Sequence, residues 1–193
     1  MVQVLKEDVK QRIYSAAVEE FYNKDYKTAT IRAIAERADV PTGLVYSYYK
    51  NKHALFESIV KPILLMMQET LKEAENSSYY YPFENFQKIE SAMFLSLFDK
   101  RKQLIILIDK SNGTKYQDAR EIIIRSTEIH IKNAIKNRGI EKHYDDFLIH
   151  ILANNFMDGF FEIIRHYKNR KWAEEMLELM AKQYYCGVES LLD

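Results

Sequence analysis

The stretch TIRAIAERADVPTGLVYSYYKNK, residues 30–52, decides the fold. Its apolar residues recur at the spacing of one face of a short amphipathic helix: Ile31, Ile34, Ala35 and Ala38. Thr30 precedes this face as a predicted N-cap, and Val40-Pro41 ends the helix because a residue before proline is pushed out of the α region. Thr42 offers a second N-cap, which predicts a helix from Gly43 to about Tyr49. Two short helices joined by a tight turn form a helix-turn-helix.

The second helix is predicted to leave a small, hydroxyl-rich surface in solvent. Val45 and Tyr49 are four residues apart and can pack on the first helix. The remaining residues need not be buried: Thr42, Gly43, Tyr46, Ser47 and Tyr48. Such a surface suits a DNA major groove, where base edges and phosphates need donors and close approach. The alternative is an ordinary helical hairpin with tyrosines on its surface.

The run ADVPTGLVYSYYKNKHALF, residues 38–56, closely resembles the DNA-binding signature of the tetracycline-repressor (TetR) family of bacterial transcription regulators. The similarity covers roughly the first 60 residues, and each landmark keeps the family's spacing: Arg12-Ile13, Phe21, Thr30, Ile34-Ala35, Val40, Tyr46, Tyr49-Lys50, Lys52 and Leu55-Phe56. Many members have Ser-Lys or similar after the turn, where this chain has Pro41-Thr42. We interpret that departure as altered sequence preference.

The resemblance implies a dimeric regulator, most often a repressor, that binds a palindromic double-stranded DNA operator and responds to a small-molecule effector. Thr30 and Arg32 match the place where the preceding helix meets the DNA backbone, and Lys52 matches a phosphate-contacting lysine. The full predicted DNA-binding set is Thr30, Arg32, Thr42, Gly43, Leu44, Tyr46, Ser47, Tyr48, Lys50 and Lys52.

The fold class is predicted to be all-α, because no strand-like alternation is sustained anywhere. The predicted domains are 1–52, a three-helix module that binds DNA, and 53–193, a larger helical domain for ligand binding and dimerisation. Asn51 is the predicted cap of a helix that contains Pro62, either as a hinge or as a static bend. Further helices are predicted at 6–23, 83–98, 101–109 and 115–137.

The last two predicted helices, 144–167 and 172–191, are apolar on more than one face. A helix of this kind must be covered on two sides. The resemblance implies that these helices form a four-helix bundle across a two-fold homodimer, and a fully internal core is the alternative. Gly159 lies in mid-helix, where glycine is costly, so a close helix approach is expected there.

An effector pocket is expected inside the second domain, with an apolar wall and few polar anchors. The candidate lining residues are Met66, Phe94, Phe98, Tyr116, Asn155, Phe156, Asp158 and Phe160. Aromatic and methionine side chains are more often plain core, so the alternative for each is a structural role. The chemical identity of the effector does not follow from these residues.

The rival hypothesis of a helical enzyme or metal-binding protein depends on one polar row in the helix 144–167. Its members recur every four residues and include His150, Asp158, Glu162 and His166. Four residues turn a helix by about 400°, so the row drifts around the axis. We predict no enzyme, no cofactor and no metal. A second rival is a helical adaptor that binds a partner protein and no DNA.

Composition is that of a soluble globular protein with a formal net charge of zero. A basic DNA-binding surface can still be local, because several lysines and arginines lie in the first 52 positions, but acidic residues in the same segment offset much of that charge. The single cysteine, Cys186, suits a reducing compartment. The longest apolar runs are too short for a membrane span, and the N-terminus lacks the apolar core of a signal peptide. A cytoplasmic protein with no membrane partner is expected.

Overall fold

The structure, a computed structural model, describes residues 2–75, 82–137 and 143–192. These residues form helices and connecting turns, with no strand among them, so the predicted all-α class is confirmed. The helices are α1 Val2–Asn23, α2 Ile31–Arg37, α3 Thr42–Tyr48, α4 Lys52–Glu75, α5 Pro82–Asn85, α6 Ser91–Asp99, α7 Arg101–Asp109, α8 Ala119–Asn137, α9 Asp146–Arg165 and α10 Arg170–Leu192. A π-helical turn, Phe86–Glu90, joins α5 to α6.

The chain forms two compact units. Unit 1 contains residues 1–64 and 102–120, and unit 2 contains 65–101 and 121–193. Unit 1 includes the helix-turn-helix, the first half of α4 and α7. The predicted domains 1–52 and 53–193 are divided by function, and they stay a prediction.

The core of unit 1 is built by the apolar stripe of α1 against α2, α3 and α4. Ile13, Phe21, Ile34, Val45 and Phe56 are all fully buried. The rings of Phe21 and Phe56 meet edge to face, with 5.0 Å between their centroids. Tyr26, from the connection between α1 and α2, also packs on this core, since its ring lies 4.9 Å from that of Phe56. Large apolar groups at these positions fix the helix-turn-helix as one rigid module.

The turn between α2 and α3 is fastened by backbone and side-chain hydrogen bonds. Thr30 is the N-cap of α2 as predicted, because its hydroxyl accepts a bond from the amide of Ala33 at 3.1 Å. After α2, Asp39 has a φ of 53°, a left-handed conformation that aspartate tolerates better than most residues. Arg12 Nη1 donates to the carbonyl of Ala38 at 3.1 Å. This bond ties α1 to the turn.

Three sequence predictions at helix starts are wrong, the first because α1 begins at Val2 and not at residue 6. Thr42 is not the cap of α3: Pro41 is the N-cap residue, without a side-chain cap bond, and Thr42 is the first helical residue. The helix predicted to begin at Lys115 begins at Ala119. The hydroxyl of Thr114 donates to Ser111 O at 2.8 Å and accepts from Tyr116 N at 3.0 Å, so turns occupy these positions instead.

Helix α4 begins as predicted, because Asn51 Oδ1 accepts a hydrogen bond from Ala54 N at 2.8 Å. It continues through Pro62 to Glu75. Pro62 is exposed, so its ring lies on the solvent side of the helix. Whether Pro62 is a hinge stays a prediction.

The core of unit 2 is packed by α6, α9 and α10. Phe94, Phe98, Phe160 and Phe161 are among its largest buried side chains. The predicted close approach at Gly159 is confirmed: a Cβ there would lie 2.6 Å from Met180 Sδ on α10. Helix α9 has the length and apolar content of a membrane span, but 44% of its most apolar stretch is buried inside the protein. Packing in the core accounts for the buried part of that stretch, and Phe147 and Ile151 are exposed.

Candidate nucleic-acid interface and effector site

The predicted DNA-binding residues of α3 fall into two groups that differ in solvent exposure. Thr42, Gly43, Tyr46 and Ser47 are exposed, and the side chain of Tyr46 is 52% accessible. Leu44 and Tyr48 are half-buried. Val45 is the single fully buried residue of the helix and anchors it to the core. The exposed group therefore presents hydroxyls, one aromatic ring and a bare backbone to solvent, a surface typical of major-groove contact.

Gly43 is not required by the fold of this chain. A Cβ built at this position meets no atom within 4 Å, and the residue lies in the first turn of α3. Glycine is costly in a helix relative to alanine. An open position that nevertheless carries glycine is typical of a site where another molecule approaches the backbone closely.

The N-terminus of α2 lies on the surface beside the turn. Thr30 and Arg32 are both exposed. The Thr30 oxygen already accepts the capping bond from Ala33 N, which leaves its hydroxyl hydrogen available to donate. Arg32 has five N–H donors for phosphate oxygens. Both residues are placed on the surface as the prediction requires.

The two predicted phosphate-contacting lysines differ in their surroundings. Lys50 is exposed, and the structure records no hydrogen bond or ion pair for it within the described residues. Lys52 Nζ donates to the carbonyls of Tyr26 at 2.7 Å, Ala29 at 3.1 Å and Lys27 at 3.4 Å. It also lies 4.6 Å from the centroid of the Tyr26 ring. An ammonium group has three N–H donors, and here all three are directed at the connection between α1 and α2.

Several members of the polar row of α9 pair with neighbouring side chains. His150 Nδ1 lies 2.6 Å from Glu128 Oε1, and Glu162 pairs with Arg165 and His166. The Arg165 guanidinium hydrogen-bonds the Glu162 carboxylate and holds its pKa below the usual range. Within the described residues, no group of three metal-ligating side chains comes together. The arrangement is that of a solvated helix surface.

Four of the predicted effector-binding residues meet in unit 2. Phe94 contacts Phe156 and Phe160, with ring centroids 5.5 and 4.6 Å away. Phe98 lies 5.9 Å from Phe160. All four rings are buried. Together they form a continuous aromatic wall between α6 and α9.

The other four predicted residues lie elsewhere. The Ser96 hydroxyl donates a hydrogen bond to Met66 Sδ at 3.5 Å. Asn155 is exposed and Asp158 is half-buried on α9. Tyr116 belongs to unit 1, where it packs on Phe56 and its hydroxyl donates to Glu57 Oε1 at 3.0 Å. The structure therefore does not bring Tyr116 to the aromatic wall.

Sequence reasoning missed a buried acid beside the aromatic wall. Glu90, the last residue of the π-helical turn, is 3% exposed. Its Oε1 lies 3.6 Å from His130 Nε2, and its Oε2 accepts from the Tyr185 hydroxyl at 3.4 Å. Burial raises the pKa of Glu90 while His130 and Tyr185 lower it, and burial raises the pKa of Tyr185 well above its usual value. The sequence signal was a lone acid in the apolar run from Phe86 to Phe98.

Comparison with known proteins agrees with this geometry. The sequence profile of bacterial regulatory proteins of the tetR family matches residues 13–59. An HTH-type transcriptional regulator of Bacillus subtilis (strain 168), YhgD, is 33% identical over 132 residues, which are 68% of this chain and 67% of the relative. The chain belongs to the TetR family. It is thus a DNA-binding transcriptional regulator with a helix-turn-helix, and this family comprises transcription regulators rather than enzymes.

Solved structures with the same fold align with nearly the whole length of this protein. A TetR-like regulator from Rhodococcus sp. RHA1 aligns over 93% of this chain and 96% of its own, with a TM-score of 0.64 and 19% identity. The regulator FadR from Bacillus subtilis, in complex with stearoyl-CoA, aligns over 89% and 97%, with a TM-score of 0.58 and 17% identity. These similarities extend the family's fold through unit 2.

Proposed function

We propose that the protein is a cytoplasmic, homodimeric repressor that binds a palindromic operator and releases it when an effector binds residues 53–193. The observation that carries the proposal is the exposed surface of α3. Val45 anchors this helix to the core, and Thr42, Gly43, Tyr46 and Ser47 remain exposed to solvent. Two such helices related by a two-fold axis would enter successive major grooves of one site.

Exposed apolar side chains on the last two helices support dimerisation there. Phe147 on α9 is 68% exposed and Leu179 on α10 is 56% exposed. Ile151 lies one turn after Phe147 and is exposed too. Phe147 and Ile151 share one face of α9, and exposed apolar surfaces of this kind mark protein–protein contacts. A second copy of the chain would bury them in a self-complementary interface.

The aromatic wall of unit 2 supports effector binding. Ligand sites are apolar and aromatic, with a few polar groups that fix orientation. Phe94, Phe156 and Phe160 supply the apolar part. The FadR structure contains stearoyl-CoA, so a protein of this fold accommodates a small molecule. The effector would bind more tightly to a dimer whose two α3 helices no longer match the spacing of the two half-sites. Its higher affinity for that state would shift the dimer away from the DNA-binding state and release the operator.

The test is an anisotropy titration against double-stranded DNA from the region flanking its own gene, at two salt concentrations. Binding of one dimer to one palindrome, weakening steeply with salt, is the expected result. A scrambled fragment of equal length and composition is the control. Equal affinity for the palindrome and the scrambled fragment would contradict the proposal.

A further inference from the structure

Helix α8 carries two large apolar side chains that face solvent. Ile129 is 51% exposed and Ile122 is 38% exposed, and they lie two turns apart on the helix. The other side of α8 packs in the core of unit 2, where Ile123, Ile124 and Thr127 are buried. A lone apolar residue on a surface needs no explanation, whereas a group of them on one face marks a contact.

Two ion pairs fix how α8 lies against α9. Glu128 Oε1 is 2.6 Å from His150 Nδ1, and Lys132 Nζ is 2.7 Å from Asp146 Oδ1. The residue numbers of the paired groups rise along α8 while they fall along α9. The two helices are therefore antiparallel neighbours, and the paired residues mark the sides that face each other.

The apolar side chains of α8 and α9 lie on the same side of this helix pair. Each step along a helix rotates the side chain by about 100°, and in two facing antiparallel helices this step carries both side chains to the same side. Ile129, Phe147 and Ile151 each directly follow a residue of an ion pair. Ile122 lies seven residues before Ile129 and shares its face to within about 20°.

Helix α10 continues this surface on the other side of α9. The two helices are joined by a short connection and are antiparallel, and Gly159 of α9 approaches Met180 of α10. Leu179 and Asp158 each directly precede one of these contact residues, so the rotation places both on one side. Ile151, seven residues before Asp158, lies on that side too. One surface therefore extends across α8, α9 and α10.

The exposed side chains of α9 and α10 are too few for a stable dimer. A homodimer interface of standard size needs about 500 Å² of apolar surface from each partner. With about 150–200 Å² for a whole side chain of this size, the exposed parts of Phe147, Ile151 and Leu179 supply roughly 300 Å². Ile122 and Ile129 raise this area to roughly 450 Å², which is close to the requirement.

We infer that α8 belongs to the homodimer interface, where a second copy of the chain covers Ile122 and Ile129 together with the exposed side of α9 and α10. The inference rests on the proposed dimer and extends it from two helices of each protomer to three. A second copy is the occupant because the apolar side chains of α8 adjoin the surface of α9 that the dimer buries. In a two-fold interface, every substitution at this surface acts twice.

The test is the dissociation constant of the dimer, measured by sedimentation of the full-length protein over a range of concentrations. Ile129→Glu places a carboxylate at the centre of the α8 face. In the monomer this carboxylate lies one turn from Arg125 and Lys132, so the free helix tolerates it. Ile122→Ser is a milder second variant. Leu65→Glu, at an exposed leucine of α4, is the matched control outside the three-helix surface.

Ile129→Glu should raise the dissociation constant by about tenfold or more, because the dimer would bury an unpaired charge. Ile122→Ser should raise it by about threefold, because less apolar surface leaves water. Leu65→Glu should match wild type. All three variants should keep the helical content of wild type by circular dichroism, which separates loss of the dimer from unfolding. Ile122→Ser keeps the test decisive if Ile129→Glu fails to fold.

Three outcomes would overturn the inference. If both α8 variants dimerise as tightly as wild type while Leu179→Glu dissociates, the proposed dimer stands and α8 lies outside it. If Leu65→Glu weakens the dimer as much as Ile129→Glu, an added charge acts without regard to the α8 face. If wild type is monomeric at every concentration, the inference fails together with the dimeric part of the proposed function.

Discussion

The two units differ in where their candidate sites lie. In unit 1 the candidate groups, Thr42, Tyr46 and Ser47, lie on the outside of α3. The buried acid of this unit, Glu20, is paired with Lys24 and Arg37. In unit 2 the notable group is Glu90, which is buried beside His130 and the hydroxyl of Tyr185. The difference teaches that a surface site can be examined by exposure alone, whereas the proposed effector site of unit 2 depends on which helices pack together. Substitutions in the two units should therefore separate DNA affinity from effector selectivity.

The largest effect is expected from a charge at the proposed dimer surface. Leu179→Glu should yield monomers by light scattering and reduce operator affinity by about 100-fold or more, because a monomer loses the second half-site and its effective concentration. Leu65→Glu, another exposed leucine of unit 2, is the control and should remain dimeric. A Leu179→Glu protein that stays dimeric would place the interface elsewhere.

Lys52→Met should reduce the free energy of unfolding by about 1–3 kcal/mol, because it leaves the carbonyls of Tyr26, Lys27 and Ala29 without their charged donor. Thermal and denaturant unfolding measure this. The salt dependence of operator binding should keep its slope, since the ammonium is already used within the protein. A shallower slope with unchanged stability would show that Lys52 contacts phosphate instead.

Glu90→Gln should remove a pH-dependent cost from unit 2. Burial raises the pKa of Glu90 in the folded protein. Below the unfolded-state pKa the group is protonated in both states and costs no stability. As the pH rises from there through the folded-state pKa, the folded protein loses stability relative to the unfolded chain. The variant should therefore gain in melting temperature relative to wild type between acidic and neutral pH. Parallel stability curves for the two proteins across that window would show that Glu90 is equally satisfied in both states.

The smallest effect is expected at Lys50. Lys50→Ala should leave stability unchanged, because the side chain is exposed, and should reduce the slope of log affinity against log salt by about 1. Lys136→Ala, which removes an exposed lysine from α8, is the matched control. An unchanged slope for Lys50→Ala would remove Lys50 from the DNA-contacting set.

Local rules predicted short-range features better than features that depend on packing between distant segments. The apolar spacing of Ile31, Ile34 and Ala35 and the cap at Thr30 are short-range features, and the structure confirms them. The start of α8 was predicted four residues too early. The Thr114 hydroxyl forms hydrogen bonds with Ser111 O and Tyr116 N that stabilise turns there, and helix propensity does not predict these bonds. Likewise, Tyr116 was assigned to the effector site, although its place beside Glu57 depends on a contact 59 positions distant.

The neighbourhood of Glu90 could not be predicted because it is assembled from distant segments. His130 and Tyr185 approach it from α8 and α10, 40 and 95 positions along the chain. Periodicity reports which face of a helix is buried, but it does not report which helix covers that face. The lone acid in an apolar run was visible, and only the packed structure gives it partners.

The measurement that tests the central claim most directly is the operator affinity of Gly43→Ala, together with its melting temperature. Because a Cβ at position 43 has open space in the free protein, the variant should be as stable as wild type or more stable, by up to about 1 kcal/mol. Its operator affinity should nevertheless fall by about tenfold, since the added methyl group obstructs close approach to DNA. Unchanged operator affinity with unchanged stability would contradict the claim that this surface of α3 is kept open for DNA.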